Sequence, residues 1–374
     1  MTLPATMKAL VYHGPGNISL DDVPTPQLLK DDDAIVRVTT STICGTDIHI
    51  WHGDMPEVEA PRIIGHEFCG EIVAVGSAVH NVKVGDRCAI SCVTQCGECF
   101  YCKRGTYSHC DTGSWIFGYM IDGCQAEYVR VPHANLGCHV IPEGLCDEDV
   151  LFVGDILSTG YFGAEHGNIQ PGDTVMVSGC GPVGMCAMAT AKLWGPRKVV
   201  AVDTNQSRLD FAVANGYADL GLNPLDCDVA EEIRKMTEGR GADVCIEAVG
   251  VTPTFDLAVN AVRPGGHVSV VGVFAAPVEL AMNKLWIKNI TISMGLVNSN
   301  RIPELIGLIK DGKLNMRPLQ THCAPLNDIL KGYDIFGGKK DNCIKWVVKP
   351  YEHEKKAPRR CKKACACKEE PAGE

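Results

Sequence analysis

Short hydrophobic runs of strand length, punctuated by glycine, fill the first part of the chain. Between residue 7 and about residue 150, segments such as KALVYHG, CGEIVAVGS and QAEYVRVP are rich in β-forming residues and are separated by glycine. Runs of this length, bounded by glycine-containing turns, are typical of strands in an antiparallel or barrel-like sheet. The pattern therefore predicts a β-rich domain over residues 1–156.

The pattern changes at about residue 157. TVMVS, KVVAVD, ADVCIEAVG and HVSVVGVF are nearly continuous apolar runs, and the segments between them, such as SRLDFAVANG, have helical spacing. Strands without alternation are buried on both faces, as in a parallel sheet covered by helices. We expect an α/β domain with a doubly wound parallel sheet over 157–294 and a return to the first domain over 295–350. The polar tail over 351–374 is predicted to be disordered.

Composition excludes several classes of protein. The 374 residues, of which 45% are hydrophobic and 21% charged, fit about two soluble globular domains. The formal charge of −10 argues against a nucleic-acid partner, and no apolar run approaches the roughly 20 residues that span a bilayer. The opening residues lack the basic and then apolar pattern of a signal peptide, so a cytoplasmic location is expected. In that reducing compartment the 20 cysteines are thiols or metal ligands.

A short lobe over residues 94–112 concentrates four cysteines. They are Cys96, Cys99, Cys102 and Cys110. Four thiolates in one loop can close a tetrahedral zinc site without an open position, which makes the ion structural rather than catalytic. His109 is an alternative ligand beside the last cysteine, but the four thiols are favoured.

A glycine-rich turn follows the strand TVMVS and opens a helix. The G-x-G-x-x-G motif comprises Gly179, Gly181, Pro182, Val183 and Gly184. Its glycines let the backbone approach a pyrophosphate, which binds at the N-terminus of the helix. Asp203 ends the next strand, about 20 residues on, where a carboxylate accepts hydrogen bonds from ribose hydroxyls and repels a 2′-phosphate. The motif therefore predicts NAD rather than NADP, although Arg208 could flank the adenine or accommodate a phosphate.

Further metal-ligand types occur in three separate segments. TICGTDIHIWHG, IIGHEFCGEIV and FVGDILSTG contain Cys44, Thr46, His49, His66, Glu67 and Asp155. With the cysteine lobe and the glycine turn in this order, residues 7 to 350 resemble the zinc-containing medium-chain dehydrogenase/reductase family, and the alcohol dehydrogenases in particular. The resemblance implies a GroES-like catalytic domain and a Rossmann nucleotide-binding domain.

The resemblance also implies a catalytic zinc ion. Cys44, His66 and Asp155 would be its ligands, and the fourth position would take the alcohol, whose hydroxyl pKa the ion lowers before hydride passes to the nicotinamide. Asp155 stands where many members have cysteine. In this it resembles the bacterial tetrameric secondary-alcohol dehydrogenases and the formaldehyde-dehydrogenase-like branch.

Further positions take roles from the same resemblance. Thr46 and His49 match the proton relay, and Glu67 matches a group near the metal that is an outer-shell residue or an occasional fourth ligand. Lys345 matches a basic residue that in the family reaches the cofactor pyrophosphate. By their position at strand or helix ends facing the expected cofactor crevice, four more residues are candidates for cofactor binding: Thr159, Gly250, Val271 and Val273. The candidate substrate-pocket residues are Trp115, Met294 and Leu296.

These observations predict a zinc-dependent alcohol dehydrogenase with two zinc ions per chain. It would transfer hydride reversibly between a small primary or secondary alcohol and NAD, giving an aldehyde or ketone. Polyol or diol dehydrogenation and formaldehyde dehydrogenation are the alternatives, and a zinc- or nucleotide-binding protein without catalysis is a third. A homo-oligomer is expected, with a tetramer favoured over a dimer.

Overall fold

The computed structural model describes residues 3–351, which form two compact units. One unit comprises the residues up to Asp155 and those from Asn298 on, and the other comprises Ile156–Val297. The predicted boundaries, after residues 156 and 294, differ from these by one and three residues. The tail predicted to be disordered falls, beyond its first residue, on residues 352–374, which lie outside the described residues.

The described residues contain eighteen β-strands and eleven α-helices. The strands are β1 (Thr6–Gly14), β2 (Asn17–Pro24), β3 (Ala34–Thr42), β4 (Arg62–Ile63), β5 (Phe68–Val75), β6 (Arg87–Ile90), β7 (Val93–Thr94), β8 (Ser114–Trp115), β9 (Tyr128–Val131), β10 (Cys138–Val140), β11 (Thr174–Ser178), β12 (Lys198–Val202), β13 (Leu220–Leu222), β14 (Ala242–Glu247), β15 (Val262–Val270), β16 (Thr291–Met294), β17 (His322–Pro325) and β18 (Trp346–Lys349). The helices are α1 (Gly45–His52), α2 (Ala134–Gly137), α3 (Asp147–Val150), α4 (Ile156–His166), α5 (Pro182–Ala191), α6 (Gln206–Ala214), α7 (Val229–Met236), α8 (Thr252–Ala261), α9 (Met282–Leu285), α10 (Ile302–Lys310) and α11 (Ile329–Gly337).

Antiparallel strands build most of the first unit. The larger sheet has the order β10-β6-β5-β3-β18-β17, with β9 also paired to β3, and β17–β18 is its one parallel pair among the described strands. Val36 and Val38 of β3 pack with Phe68 and Ile72 of β5 in a fully buried core. The predicted β-rich, GroES-like fold is confirmed.

The last strand joins the C-terminal part of the described chain to this first unit. β18 pairs antiparallel with β3, with Val347 opposite Thr42 and Val348 opposite Ser41. The Thr42 hydroxyl also donates to the carbonyl of Trp346 at 2.8 Å. This pairing places the residue before β18, Lys345, in the interior of the unit.

The second unit contains a parallel sheet of six strands. Its order is β13-β12-β11-β14-β15-β16, and every neighbouring pair is parallel. All five residues of β11 are buried, which explains why its sequence is apolar without alternation. The chain continues to one side of β11 through β12 and to the other side from β14 onward. This reversal is the topological switch point at which doubly wound sheets bind nucleotides.

Candidate zinc and nucleotide sites

Three predicted metal ligands converge in the first unit. Cys44 is the residue before α1, His66 lies just before β5, and Asp155 follows the 3-10 helix Leu151–Gly154. Their ligand atoms all lie within 4.8 Å of one another. Asp155 Oδ2 is 3.5 Å from Cys44 Sγ and 3.2 Å from His66 Nε2.

These separations fit a zinc ion. Metal–ligand distances of about 2.3 Å for sulfur and about 2.0–2.2 Å for nitrogen and oxygen imply tetrahedral edges of about 3.6 Å between sulfur and oxygen and about 3.4 Å between nitrogen and oxygen. The measured 3.5 and 3.2 Å agree with those edges. The donor set of one thiolate, one imidazole and one carboxylate also matches a catalytic rather than a structural site, because it supplies three ligands.

A carboxylate that the sequence analysis missed supports the histidine. Asp47 Oδ1 lies 3.2 Å from His66 Nδ1, and its Oδ2 accepts from the backbone N–H of Cys44 and from the amide of Gln125, each at 2.9 Å. Burial lowers the pKa of His66, but Asp47 and then Asp155 outweigh that effect and hold the pKa well above its usual value. Asp47 is the third residue of α1, a capping-box position that C-G-T-D in the sequence could have indicated.

Glu67 lies outside the ligand cluster and pairs with Lys345. The Lys345 ammonium donates to Glu67 Oε2 at 2.5 Å and to the carbonyl of Ile43 at 3.1 Å, and both charged side chains are almost fully buried. Burial lowers the pKa of Lys345, but the Glu67 carboxylate reverses this, so the net shift is upward. The structure makes Lys345 the counter-ion of Glu67, and its contact with the cofactor pyrophosphate stays a prediction.

The two candidate relay residues lie on α1. Thr46 Oγ1 is 3.9 Å from Cys44 Sγ, and His49 follows three residues later, on the same face of the helix. His49 is 41% exposed, and its Nδ1 is 2.8 Å from Asp54 Oδ2. Thr46 therefore adjoins the ligand cluster, and His49 adjoins solvent.

The four cysteines of the lobe also converge. Their sulfur atoms lie within 4.8 Å of one another, and the Sγ atoms of Cys96 and Cys102 are 4.0 Å apart, close to the edge of about 3.8 Å that a Zn–S distance of 2.3 Å implies. The backbone N–H groups of Cys102 and Asp111 lower the pKa of Cys99 to about 6, which favours the thiolate that binds metal. His109 is exposed and is not part of the cluster.

The glycine turn in the second unit has the backbone that its sequence predicts. Gly179 has a φ of +96°, and a Cβ on Gly184 would lie 1.8 Å from the carbonyl oxygen of Gly179, so neither position accepts a side chain. Pro182 is the first residue of α5, and Val183 follows it. A Cβ on Gly181 would meet nothing within 4 Å, which leaves the start of α5 open to a phosphate.

Asp203 lies directly after β12, beside this turn. Its Oδ2 accepts from the backbone N–H of Cys180 at 2.7 Å, and its Oδ1 accepts from that of Asn205 at 2.8 Å. These bonds fix the carboxylate against the glycine turn. Arg208 lies in the first turn of α6 and is half-buried.

The remaining cofactor positions have unequal support. Gly250 follows β14 with a φ of +88°, and Val271 follows β15, so both lie at the carboxyl ends of parallel strands; Val273 lies two residues further on and is 56% exposed. The sequence analysis missed Glu247, a buried residue whose Oε1 accepts from the N–H of Gly250 at 2.9 Å. Thr159 lies in the first turn of α4, near the start of that helix.

An aromatic pair adjoins the candidate catalytic zinc site. The ring of Trp115 meets His66 edge to face, with centroids 5.4 Å apart, and stacks on Tyr119 at 5.2 Å. Tyr119 was not predicted. In the other unit, Met294 and Leu296 are 67% and 40% exposed.

Comparison with known proteins gives consistent matches along the chain. The family described as Alcohol dehydrogenase GroES-like domain matches residues 30–143, and the family described as Zinc-binding dehydrogenase matches residues 182–311. Within residues 3–351 there is no helix with both the length and the apolar character that a membrane span requires.

Individual relatives agree with these matches. The chain is 39% identical to an alcohol dehydrogenase of Cupriavidus necator, over 93% of this chain and all of the relative. It is 42% identical to the zinc-dependent alcohol dehydrogenase 2 of Streptococcus pneumoniae, with a TM-score of 0.88 and coverage of 93% and 99%. It is 36% identical to the alcohol dehydrogenase TADH of Thermus sp. ATN1, with a TM-score of 0.87 and coverage of 92% and 99%. The chain therefore belongs to the zinc-containing alcohol dehydrogenases of the medium-chain dehydrogenase/reductase family.

Proposed function

We propose that this protein catalyses the reversible, NAD-linked oxidation of a small primary or secondary alcohol to an aldehyde or ketone. The convergence of Cys44, His66 and Asp155, with separations that fit zinc, carries the proposal. A zinc ion held by these residues would supply Lewis-acid polarisation of the substrate hydroxyl, and NAD would supply the hydride acceptor.

The chain's own side chains provide a route for the proton. Thr46 Oγ1, beside the ligand cluster, would take up the proton of the substrate hydroxyl as it gives up its own hydroxyl proton toward His49. His49, one helical turn along α1, is partly exposed and releases a proton to solvent, with its ring oriented by Asp54. Asp47 fixes the orientation of the His66 ring, and the buried Glu67–Lys345 pair adds no net charge behind the ligands.

The position of Asp203 supports NAD over NADP. Two backbone N–H groups hold its carboxylate beside the glycine turn, where the adenosine ribose of a bound dinucleotide lies in Rossmann domains. A fixed carboxylate accepts hydrogen bonds from ribose hydroxyls and repels a 2′-phosphate. Burial and then Asp203 raise the pKa of Cys180, and Arg208 opposes that rise, so its positive charge also acts at this turn.

A second, structural zinc ion is proposed for the cysteine lobe. Four sulfur ligands within 4.8 Å of one another close the coordination sphere, so this ion would fix the lobe without binding substrate. The seventeen cysteines among the described residues form no disulfide, which fits a reducing compartment such as the cytoplasm.

We also propose a homo-oligomer, with a tetramer favoured over a dimer. β16 is an edge strand of the parallel sheet, and exposed apolar side chains surround it in sequence: Trp286, Ile287 and Met294 are between 65% and 70% exposed. Unpaired strand edges with apolar side chains favour pairing with another chain.

The test is a steady-state assay of purified protein with its zinc content measured. NADH formation is followed across primary, secondary and poly-hydroxylated alcohols and with formaldehyde. We expect the highest kcat/KM for a small primary or secondary alcohol, and we expect Asp155→Ala to abolish turnover and reduce the zinc content from two ions to one. Higher kcat/KM for a polyol or for formaldehyde would replace the proposed substrate class, and no turnover of any substrate by the zinc-loaded protein would contradict catalysis.

A further inference from the structure

A buried thiol that is not a metal ligand touches the carboxylate of Asp155. Cys92 Sγ lies 3.7 Å from Asp155 Oδ1, whereas Oδ2 of the same carboxylate faces Cys44 and His66. An ionised carboxylate has no proton to give, so in this contact the thiol donates and Oδ1 accepts. The distance is within the range of hydrogen bonds that involve sulfur.

Backbone contacts also hold the segment that contains Cys92 against the segment that contains Asp155. The N–H of Cys92 donates to the carbonyl of Gly154 at 2.9 Å, one residue before Asp155. Gly154 packs so closely on the end of β6 that a Cβ there would lie 2.1 Å from the carbonyl oxygen of Ile90. Cys92 is 1% exposed, so its side chain has little freedom to leave the carboxylate. Two hydrogen bonds from one residue therefore hold both the main chain and the side chain at Asp155.

We infer that Cys92 is a positioning residue of the catalytic metal site, an inference that rests on the proposed function. By donating to Oδ1, the thiol sets the rotation of the Asp155 carboxylate so that Oδ2 alone points at the ligand cluster. Loss of that donor removes one of the contacts that set the rotation of the carboxylate, and rotation would let it offer both oxygens to the metal or turn away from it. The thiol thus favours one-oxygen binding and leaves a coordination position for the alcohol.

The test compares metal binding by Cys92→Ala, Cys92→Ser and wild type, with Co²⁺ as a spectroscopic substitute for zinc. Cys92→Ala removes the donor, and Cys92→Ser keeps one. Cys88→Ala is the matched control, because Cys88 is also a fully buried thiol, on β6, but packs in the apolar core of the unit. Chelator competition gives the affinity of the catalytic site, and the visible bands of Co²⁺ report its coordination number.

We expect Cys92→Ala to lose metal from the catalytic site at least tenfold more readily, and to change the Co²⁺ bands as its coordination number changes. Cys92→Ser should stay close to wild type, and Cys88→Ala should lower Tm comparably to Cys92→Ala without changing metal binding. Wild-type affinity and spectrum in Cys92→Ala would overturn the inference. If Cys92→Ser and Cys92→Ala weaken metal binding equally, the effect would come from the changed side-chain volume, and the role of Cys92 as a hydrogen-bond donor would be overturned.

The same measurements separate this inference from the proposed function. Wild-type protein that binds metal only in the cysteine lobe would overturn the catalytic site itself, and the role of Cys92 with it. Wild-type protein that binds two ions, with the second lost on Asp155→Ala but unaffected by Cys92→Ala, would overturn only the role of Cys92.

Discussion

Asp203 lies beside the glycine turn, and under the proposed function its carboxylate would distinguish two cofactors that differ by one phosphate group. It is fixed by the backbone N–H groups of Cys180 and Asn205, so it cannot easily turn away from a 2′-phosphate. Selectivity of this kind comes from repulsion of the wrong ligand as much as from attraction of the right one.

Replacing this side chain should therefore change cofactor preference. We expect Asp203→Gly to lower the ratio of kcat/KM for NAD to that for NADP at least tenfold, which corresponds to about 1.4 kcal/mol. Asp210→Gly, which removes an exposed carboxylate on α6, is the control and should leave the ratio unchanged. An unaltered ratio in Asp203→Gly would remove this residue from cofactor discrimination.

Another buried group, His139 on β10, links folding to pH. Its Nε2 is buried and has no hydrogen-bond partner among residues 3–351, and burial lowers the pKa of His139 to about 4. The unfolded chain has a histidine pKa of about 6.5. Because the folded pKa is the lower one, the unfolded state binds the proton more tightly, and stability falls as pH drops from about 6.5 toward 4.

His139→Leu should remove this part of the pH dependence. Between pH 7.5 and pH 5 we expect wild type to lose about 1–2 kcal/mol of unfolding free energy more than the variant does, as measured by urea unfolding. His109→Leu, which changes an exposed histidine, should behave like wild type. The same loss in His139→Leu as in wild type would show that His139 does not contribute.

Individual residues also show what the sequence could and could not predict. The four lobe cysteines were readable because their spacing is local, and Asp47 could have been read from its capping position. The ion pair of Lys345 with Glu67 could not be predicted, because it depends on the pairing of β18 with β3, which sequence spacing does not reveal. Tyr119 was missed for another reason: it lies only four residues from Trp115, but in a turn, where neither helical nor strand periodicity indicates that the two rings stack.

Among the elements, hydrophobic periodicity predicted whether a segment is a helix or a strand better than it predicted the residues at which the element begins and ends. β11 and β12 coincide closely with TVMVS and KVVAVD, because buried parallel strands are continuous apolar runs. The run HVSVVGVF, in contrast, extends beyond β15, which ends at Val270. Val271 and Val273 continue the apolar pattern beyond the last parallel pair, Val270 with Met294, although the N–H of Val271 still donates to the carbonyl of Glu247 at 2.8 Å.

The cysteine lobe has little besides its thiols to hold it. Its regular structure consists of the two-residue strands β7 and β8 and short 3-10 helices, and Phe100 and Tyr101 are 57% and 40% exposed. A segment without an apolar core of its own depends on a bound metal for its folding free energy.

Loss of the zinc ion proposed for the lobe should therefore loosen this segment alone. We expect Cys99→Ser to release one zinc ion and to make the exposed Lys103 and Arg104 sites cleavable by trypsin at least tenfold faster. Cys227→Ser, a partly buried thiol outside both clusters, is the control and should keep both ions. Unchanged cleavage after confirmed zinc loss would show that other contacts hold the lobe.

For the full chain, the free edge of the second unit's sheet is the feature with most bearing on assembly. β16 pairs only with β15 among the described strands, and Met294 at its end is 67% exposed. Antiparallel pairing of two such edges around a two-fold axis would bury both and would extend the sheet across two copies.

Charge at this edge should break the assembly. We expect Met294→Glu to reduce the molar mass in solution by at least half, as measured by light scattering coupled to gel filtration. Val84→Glu, which places the same charge at an apolar position 59% exposed in the first unit, is the control and should leave the mass unchanged. A monomeric wild type, or an unchanged mass in Met294→Glu, would contradict pairing through β16.

The pairing of β18 with β3 has a consequence for synthesis on the ribosome. β3 is translated early, but one of the strands that pair with it, β18, emerges only after the whole of Ile156–Val297. Until then Glu67 also lacks the ammonium of Lys345. A premature stop codon upstream of β18 would therefore release a chain in which the unit Ile156–Val297 can be complete. The other unit would be left with an unpaired sheet edge at β3 and with the Glu67 carboxylate without its counter-ion. Chaperones would be expected to bind such an incompletely folded chain.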